Sequence, residues 1–239
     1  MMPKLENEQI LEAAKNWFKE TIAKNHIRNT KLLCNPSEFK INPFLIKYLA
    51  RFLTGNSDSI SMAKALIYPR VLGTSISTSF GQNIQKFIST VLGAYGSTTP
   101  GIDIEFIDQL DGRKKYCQLK LGPNNINSKS VHSINLEFIK AKNLARTNNL
   151  RLEFGDLIVG VLYGEKAQLT YNFKNLEKLH QFPVYIGKEF WERLTGSNSF
   201  YSELSNAIST IAIEYDSSQL LDETILKLAK SIEIQKLDN

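Results

Sequence analysis

Two cysteines in 239 residues, Cys34 and Cys117, are too few for a disulfide framework. Cys117 lies in an apolar run that should be buried, so a reduced, cytoplasmic setting is expected. The three histidines, His26, His132 and His180, are isolated from one another, and with two distant cysteines they leave no structural-zinc spacing. No uninterrupted apolar run approaches the roughly 18 residues that cross a bilayer, so no membrane partner is expected. The opening Met-Met-Pro-Lys-Leu-Glu-Asn-Glu lacks the apolar core of a secretion signal. Internal repeats, low-complexity tracts and clear linkers are absent as well. An acidic excess is also missing: 29 Lys and Arg against 24 Asp and Glu give a net charge of +5. That balance suits a polyanionic partner, although many proteins that bind no polyanion share it.

What is present is ordinary globular material, 42% hydrophobic and 22% charged. The length suits one domain with helical additions, or two small ones. The most informative stretch runs from Gly101 to Lys120. Ile102, Ile104 and Phe106 alternate with Asp103 and Glu105, the period-two pattern of a half-buried strand. Tyr116, Cys117 and Leu119, with Gln118 and Lys120, read as a second strand, and Asp111-Gly112 between them is a short hairpin signal. With a two-residue loop there, Asp103 faces Lys120 and Glu105 faces Gln118, all four on one side of the sheet. Two carboxylates, an amide and an ammonium on one patch could hold a divalent metal and a phosphate. The three apolar neighbours predict a central strand, where a charge cluster needs a reason. The alternative is a solvated hairpin whose charged pairs only stabilise a surface.

Around the hairpin the pattern alternates helix and strand. Ile10 to Ile22, Pro43 to Leu53 and Ser59 to Ile67 read as helices, Thr74–Ser79 as a Ser/Thr-rich loop, and Gly81 to Leu92 as an amphipathic helix. Gly122–Asn127 is a turn cluster, followed by a helix over Lys129–Arg146 and a nearly continuous apolar strand over Asp156–Tyr163. That order implies a parallel crossover. Gln168–Phe173 and Pro183–Ile186 read as short strands, and Glu189–Leu194, Tyr201–Ile213 and Gln219–Leu237 as helices. The expectation is a single domain: a helical region over 1–80, a mixed α/β core over 81–187 and a helical region over 188–239.

Asp103 on one strand, with Gln118-Leu119-Lys120 on the next and helices to either side, resembles the PD-(D/E)xK nuclease superfamily. Five longer blocks resemble one branch of its type II restriction endonucleases: Ala65–Gly81, Gly96–Phe106, Tyr116–Pro123, Val161–Glu165 and Glu189–Gly196. The likeness covers about residues 43–215. It implies a restriction-endonuclease-like α/β core with a central mixed sheet, and Mg²⁺-dependent, sequence-specific hydrolysis of double-stranded DNA. It also implies a homodimer, a cognate DNA methyltransferase, and relatives that cut interrupted palindromes with a GG/CC core. Two departures stand out. Ile102 replaces the usual proline before the aspartate, which affects only the start of the strand. Gln118 replaces the usual Asp or Glu, so a neutral amide oxygen takes the place of a charged ligand.

The resemblance assigns catalysis to Asp103, Gln118 and Lys120. Metal ligation falls to Asp103, Gln118 and the Leu119 carbonyl, with Glu105 as a compensating ligand or its neighbour. Lys120 would position the attacking water or stabilise transition-state charge; as a bare cross-strand partner of Asp103 it would contribute only about 0.2–1 kcal/mol. Arg70, Asn124 and Asn125 are weaker candidates for DNA contact, with Asn127 beside them. Arg113-Lys114-Lys115 suits either phosphate contact or a solvated turn, and Gln85 either the metal site or the surface. Trp17 and Trp191 are expected to pack. Two other readings stay open: a catalytically silent DNA-binding protein, signalled by Gln118, and a structure-specific repair nuclease of the same superfamily. A carboxylate-pair glycosidase is disfavoured, because a lysine between the acids spoils the raised pKa its acid needs.

Overall fold

A computed structural model describes residues 6–214 and 218–238, apart from the side chains of residues 85, 94, 154, 213, 214 and 238. The first five residues, part of the segment read for a secretion signal, lie outside the described residues, as does the Gln85 side chain. The chain sorts into two compact units, one of residues 1–15 and 84–208, the other of residues 16–83 and 209–239.

The helices before the sheet are α1 (Asn7–Trp17), α2 (Lys24–Leu32), α3 (Pro43–Thr54), α4 (Ser59–Pro69), α5 (Ser75–Gln82) and α6 (Ile84–Val91). Wide π-turns at Phe18–Ala23 and Arg70–Thr74 link α1 to α2 and α4 to α5. Local chemistry sets several boundaries. Asn42 caps α3 through Phe44 N–H, Pro43 occupies its first turn, and Gly55 ends it at φ +76°. Asp58 caps α4 through Ser61 N–H at 2.7 Å. Thr74–Ser79, expected as a loop, is instead the end of a π-turn and the start of α5. The helix expected from Gly81 begins at Ile84, after a break at Asn83.

Strands β1 (Ile104–Ile107) and β2 (Lys114–Lys120) form the hairpin; α7 (Ser128–Thr147) then leads to β3 (Leu157–Val161). Next come α8 (Tyr171–Lys178), β4 (Val184–Ile186), α9 (Lys188–Thr195), α10 (Phe200–Glu214), α11 (Ser218–Ala229) and α12 (Ile232–Asp238). Asn127 and Ser130 form a reciprocal capping box at the start of α7. The segment Gln168–Phe173 is not a strand: a 3₁₀ turn passes into α8, whose Phe173 and Leu176 bury with helical spacing. The helix expected over Gln219–Leu237 is divided into α11 and α12.

The sheet has four strands in the order β1-β2-β3-β4, with β1 antiparallel to β2 and the other pairs parallel. The expected parallel crossover through α7 is therefore present. One expectation is corrected: β1 is an edge strand, beside which Gly96 bridges Ile104 and Ser97 N–H donates to the Asp103 carbonyl. One face of the sheet packs Val159, Val161 and Val184 against Ile134 and Phe138 of α7 and Phe173 and Leu176 of α8. On the other, Gly160 lies against Phe190 of α9 and the Cys117 sulfur, a close approach that leaves no room for a side chain. Within the second unit, Ile46, Ala50, Met62 and Ile67 pack with Ile225, Leu228 and Ile234.

Candidate active site

The β1–β2 register differs from the simplest hairpin by two residues. Ile104 pairs with Cys117 and Glu105 with Tyr116, so the connection is longer than a two-residue turn. Asp108 is the cause. Its N–H donates to the Arg113 carbonyl at 2.9 Å, and its carboxylate accepts from Leu110 N–H at 2.9 Å. Asp103, just before the paired stretch, consequently lies beside Cys117 and Leu119, not opposite Lys120. A shift of two preserves parity along the ladder, so Glu105, Gln118 and Lys120 share one face. At Asp103 the alternation breaks, since Ile102 packs with Val159 and Val161 on the α7 side whereas Phe106 packs on Phe190 of α9.

Asp103 sits where the regular β1 ladder ends. Its N–H still donates to the Cys117 carbonyl at 3.0 Å, and its Oδ2 accepts from Leu119 N–H at 2.7 Å. The side chain thus caps a main-chain donor that β1 no longer reaches, while Oδ1 has no partner among the described residues. Main-chain carbonyls alternate sides along a strand, so the Leu119 carbonyl points to the same side of β2 as that of Cys117, towards Asp103.

Gln118 is 7% exposed, and its Nε2 donates to the Gly101 carbonyl at 2.7 Å. That bond fixes which end of the amide is which and leaves Oε1 as the free acceptor. Gly101 is constrained twice. Its φ is +78°, and an added Cβ would fall 2.5 Å from Oε2 and 2.7 Å from Cβ of Glu137 on α7. Glu137, paired with Lys140 at 2.9 Å, therefore packs directly over the backbone that orients Gln118. Sequence reading missed it; helical spacing puts it on the edge of the α7 stripe, and its meeting with Gly101 is long-range.

Glu105 is committed elsewhere. Lys114 reaches its Oε2 at 2.7 Å, and Ser97 and Thr99 hydroxyls donate to its Oε1. Burial pushes its carboxyl pKa up, but the bonds from Lys114, Ser97 and Thr99 outweigh that and hold it below the usual range. Both its oxygens already serve protein donors.

Arg113, Lys114 and Lys115 are all paired, the first two while still half exposed and Lys115 while buried. Arg113 binds Asp156 through two nitrogens, at 2.8 and 2.5 Å. The Lys115 side chain, 2% exposed, meets Asp111 at 2.7 Å, the Gly155 carbonyl at 2.9 Å and Asp156 at 3.8 Å. Arg193 of α9 binds the buried Asp108 at 2.7 Å. These contacts staple the hairpin tip to the body of the unit. Burial pushes the Cys117 thiol pKa up, with Asp103 adding to the effect and Lys120 opposing it, so this cysteine is inert.

Asn124 and Asn125 are exposed just past β2, while Asn127 is used as the α7 cap. Arg70 belongs to the other unit, where it donates to the Glu38 carbonyl at 3.1 Å and stacks on Phe39. Trp191 is buried with its indole N–H on the Leu162 carbonyl at 2.9 Å, and Trp17 packs edge-on to Phe80. Among the described residues no group of three or more His, Cys, Asp or Glu is placed to hold a metal ion. The donor set at the β1–β2 end is instead one carboxylate oxygen, one amide oxygen and one main-chain carbonyl. All are hard oxygens, a chemistry that fits Mg²⁺ with most of its water retained. No described helix is long and apolar enough to cross a membrane.

Residues 13–216 match the family model described as type II restriction endonuclease EcoO109I. No curated protein matches the chain.

Proposed function

The chain belongs to the type II restriction endonuclease EcoO109I family, a site-specific deoxyribonuclease, and from that premise we propose a Mg²⁺-dependent, sequence-specific cut made at the β1–β2 site. In this reading the whole chain works as one catalytic domain. Asp103, Gln118 through Oε1 and the Leu119 carbonyl hold the cation. When bound, Mg²⁺ lowers the pKa of a coordinated water and neutralises charge developing on the phosphate.

Lys120 holds the attacking water and balances charge in the transition state. Gly101 fixes the Gln118 amide so that its oxygen faces the reaction, and Glu137 keeps Gly101 in place. Glu105 supports the Asp103 strand through Ser97, Thr99 and Lys114 rather than acting as a principal ligand. Asn124 and Asn125, exposed beyond β2, contact the duplex near the cut. The observation that carries the reading is the Asp103–Leu119 contact at 2.7 Å, which brings the aspartate to the stretch of β2 between Gln118 and Lys120.

Two further elements follow from the same premise. A partner methyltransferase protects the host sequence, and two copies act together on a symmetric site. The apolar side of α3 supports the dimer: Phe44 is 90% exposed, Phe52 79% and Tyr48 65%, with Leu45, Leu49 and Leu53 alongside. Exposed patches of that kind mark interaction surfaces.

Plasmid DNA incubated with the protein and Mg²⁺, with and without chelator, tests the reading. Discrete, chelator-sensitive fragments with common end sequences are expected. Binding without cleavage favours a silent DNA-binding protein, and cutting governed by DNA structure favours a repair nuclease.

A further inference from the structure

The second unit contains an open, polar cleft of about 420 Å³ lined by α2, the Arg70–Thr74 π-turn and α5. From α2 come Asn25, Arg28 and Asn29, at helical spacing on one face. From α5 come Ser75, Thr78, Ser79 and Gln82, again one face of a helix. Arg70 and Thr74 line the cleft from the π-turn, and Asn83 completes it. None of these residues is acidic.

Three features separate the cleft from ordinary polar surface. First, α5 is built from Ser, Ile, Ser, Thr, Ser, Phe and Gly before its closing Gln, residues poor at sustaining a helix. No α5 residue is buried, so core packing does not account for the sequence either. Local sequence that opposes its own structure is characteristic of a functional surface. Second, π-turns, which mark functional sites more often than ordinary helix, lead into both helices that line the cleft, Phe18–Ala23 into α2 and Arg70–Thr74 into α5. The His26 ring nitrogen bonds the Val71 carbonyl at 2.9 Å and ties α2 to the second of them. Third, the cations are held ready. Arg70 spends one donor on the Glu38 carbonyl and stacks on Phe39, leaving the rest of its fork. The Arg28, Asn29 and Gln82 side chains make no hydrogen bond or ion pair to other described residues.

Two guanidinium groups and several hydroxyls in a lining that holds no carboxylate is the chemistry of a phosphodiester. We infer that this cleft binds the DNA backbone at phosphates other than the one being cut. The inference rests on the DNA-hydrolase reading and adds a separate site to it. Arg28 and Arg70 neutralise backbone oxygens, and the hydroxyls of Ser75, Thr78 and Ser79 donate to the same strand.

Fluorescence anisotropy on labelled duplexes in EDTA, over a range of salt, tests this with the full-length protein. Arg28→Gln and Arg70→Gln, with thermal unfolding to verify folding, should each weaken binding about tenfold, equally for duplexes with and without a mapped cleavage site. Each should also reduce the slope of log affinity against log salt by about one. Arg28→Lys should keep the slope, and Lys178→Gln, outside the cleft, should change binding less than either arginine variant. Unchanged affinity and slope in both arginine variants overturns the cleft. A loss confined to duplexes carrying the cleavage site, at unchanged slope, also overturns it in favour of base reading. Wild-type cleavage with Mg²⁺ is scored separately: normal cutting with arginine-independent binding rejects the cleft alone, whereas binding without cutting rejects the nuclease reading alone. A wild type that fails to bind duplex DNA rejects both.

Discussion

Asp103 carries two roles that a single substitution can separate. As a hydrogen-bond acceptor it caps Leu119 N–H at 2.7 Å; as a charge it is the site's principal ligand in the proposed reaction. Asp103→Asn retains an acceptor and removes the charge. The variant should fold within about 1 kcal/mol of wild type while cleavage falls at least about a hundredfold, near 2.7 kcal/mol of transition-state stabilisation. Cleavage at the wild-type rate would remove Asp103 from the mechanism. Gln118 poses the complementary question, because a restored carboxylate there looks like an improvement. The Gly101 carbonyl argues otherwise: at 2.7 Å it needs a donor, and an ionised carboxylate in place of the amide offers none. Gln118→Glu should destabilise the fold by about 1–3 kcal/mol at neutral pH. Facing an acceptor in a buried position, the introduced carboxyl titrates above its unfolded value, so its protonated form restores the bond and the deficit shrinks as pH falls. Denaturant titrations of both proteins at pH 5 and pH 8 read this directly, and a deficit that grows on acidification would refute it.

At the scale of elements, the hairpin tip shows which part of the site was legible in the sequence and which was not. Alternation along β1 and β2 was enough to place Glu105, Gln118 and Lys120 on one face, since parity survives a register shift of two. At Asp103, by contrast, the alternation breaks and the bond to Leu119 N–H sets the side chain's position. The exact partners were not legible, because Asp108 lengthens the turn through its own hydrogen bonds and through Arg193 of α9, far away in the chain. Continuous apolarity identified β3, and the stripe of Ile134, Phe138, Ala141 and Ala145 identified α7. α5 and α8 were misread for opposite reasons. The Ser/Thr run of α5 has no apolar period of its own, whereas Leu169, Tyr171 and Phe173 imitate strand alternation inside a turn and helix. The staple itself is testable. Burial raises the Asp156 pKa, but Arg113, the Glu153 N–H and Lys115 together hold it below the usual range. A depressed folded-state pKa gives stability that is present above the unfolded value and lost as pH falls through the folded one. Asp156→Ala leaves Lys115 buried with only Asp111 as a charged partner, and should destabilise by about 3 kcal/mol at pH 7. Its stability should also fall less steeply than that of wild type below about pH 4. Parallel stability–pH curves for the two proteins would show that the pair contributes nothing.

For the molecule as a whole, the open question is how many copies act together, and α3 supplies the surface on which to ask it. Phe44, Leu45, Tyr48, Leu49, Phe52 and Leu53 recur at i, i+1, i+4 and i+5, so they form one continuous face rather than scattered exposure. Tyr48 and Phe52 already stack, with ring centroids 6.2 Å apart. Aromatic side chains bury about 150–250 Å² each, so the face approaches the roughly 800 Å² that one partner contributes to a standard interface. A two-fold contact of α3 with its own copy needs only that the surface be self-complementary, and a continuous row of aromatic and leucine side chains satisfies that without paired charges. Phe44→Ser and Phe52→Ser together remove the two most exposed rings while leaving Ile46 and Ala50, the buried side of the helix, untouched. The double variant should sediment as a monomer at concentrations where wild type is a dimer, with its unfolding midpoint extrapolated to low concentration unchanged. If two copies act on one duplex, it should also nick supercoiled plasmid far more often than it linearises it, because a lone copy cuts one strand at a time. A variant that remains dimeric would exclude α3 as the contact; a monomer that still linearises plasmid at the wild-type rate would exclude paired action.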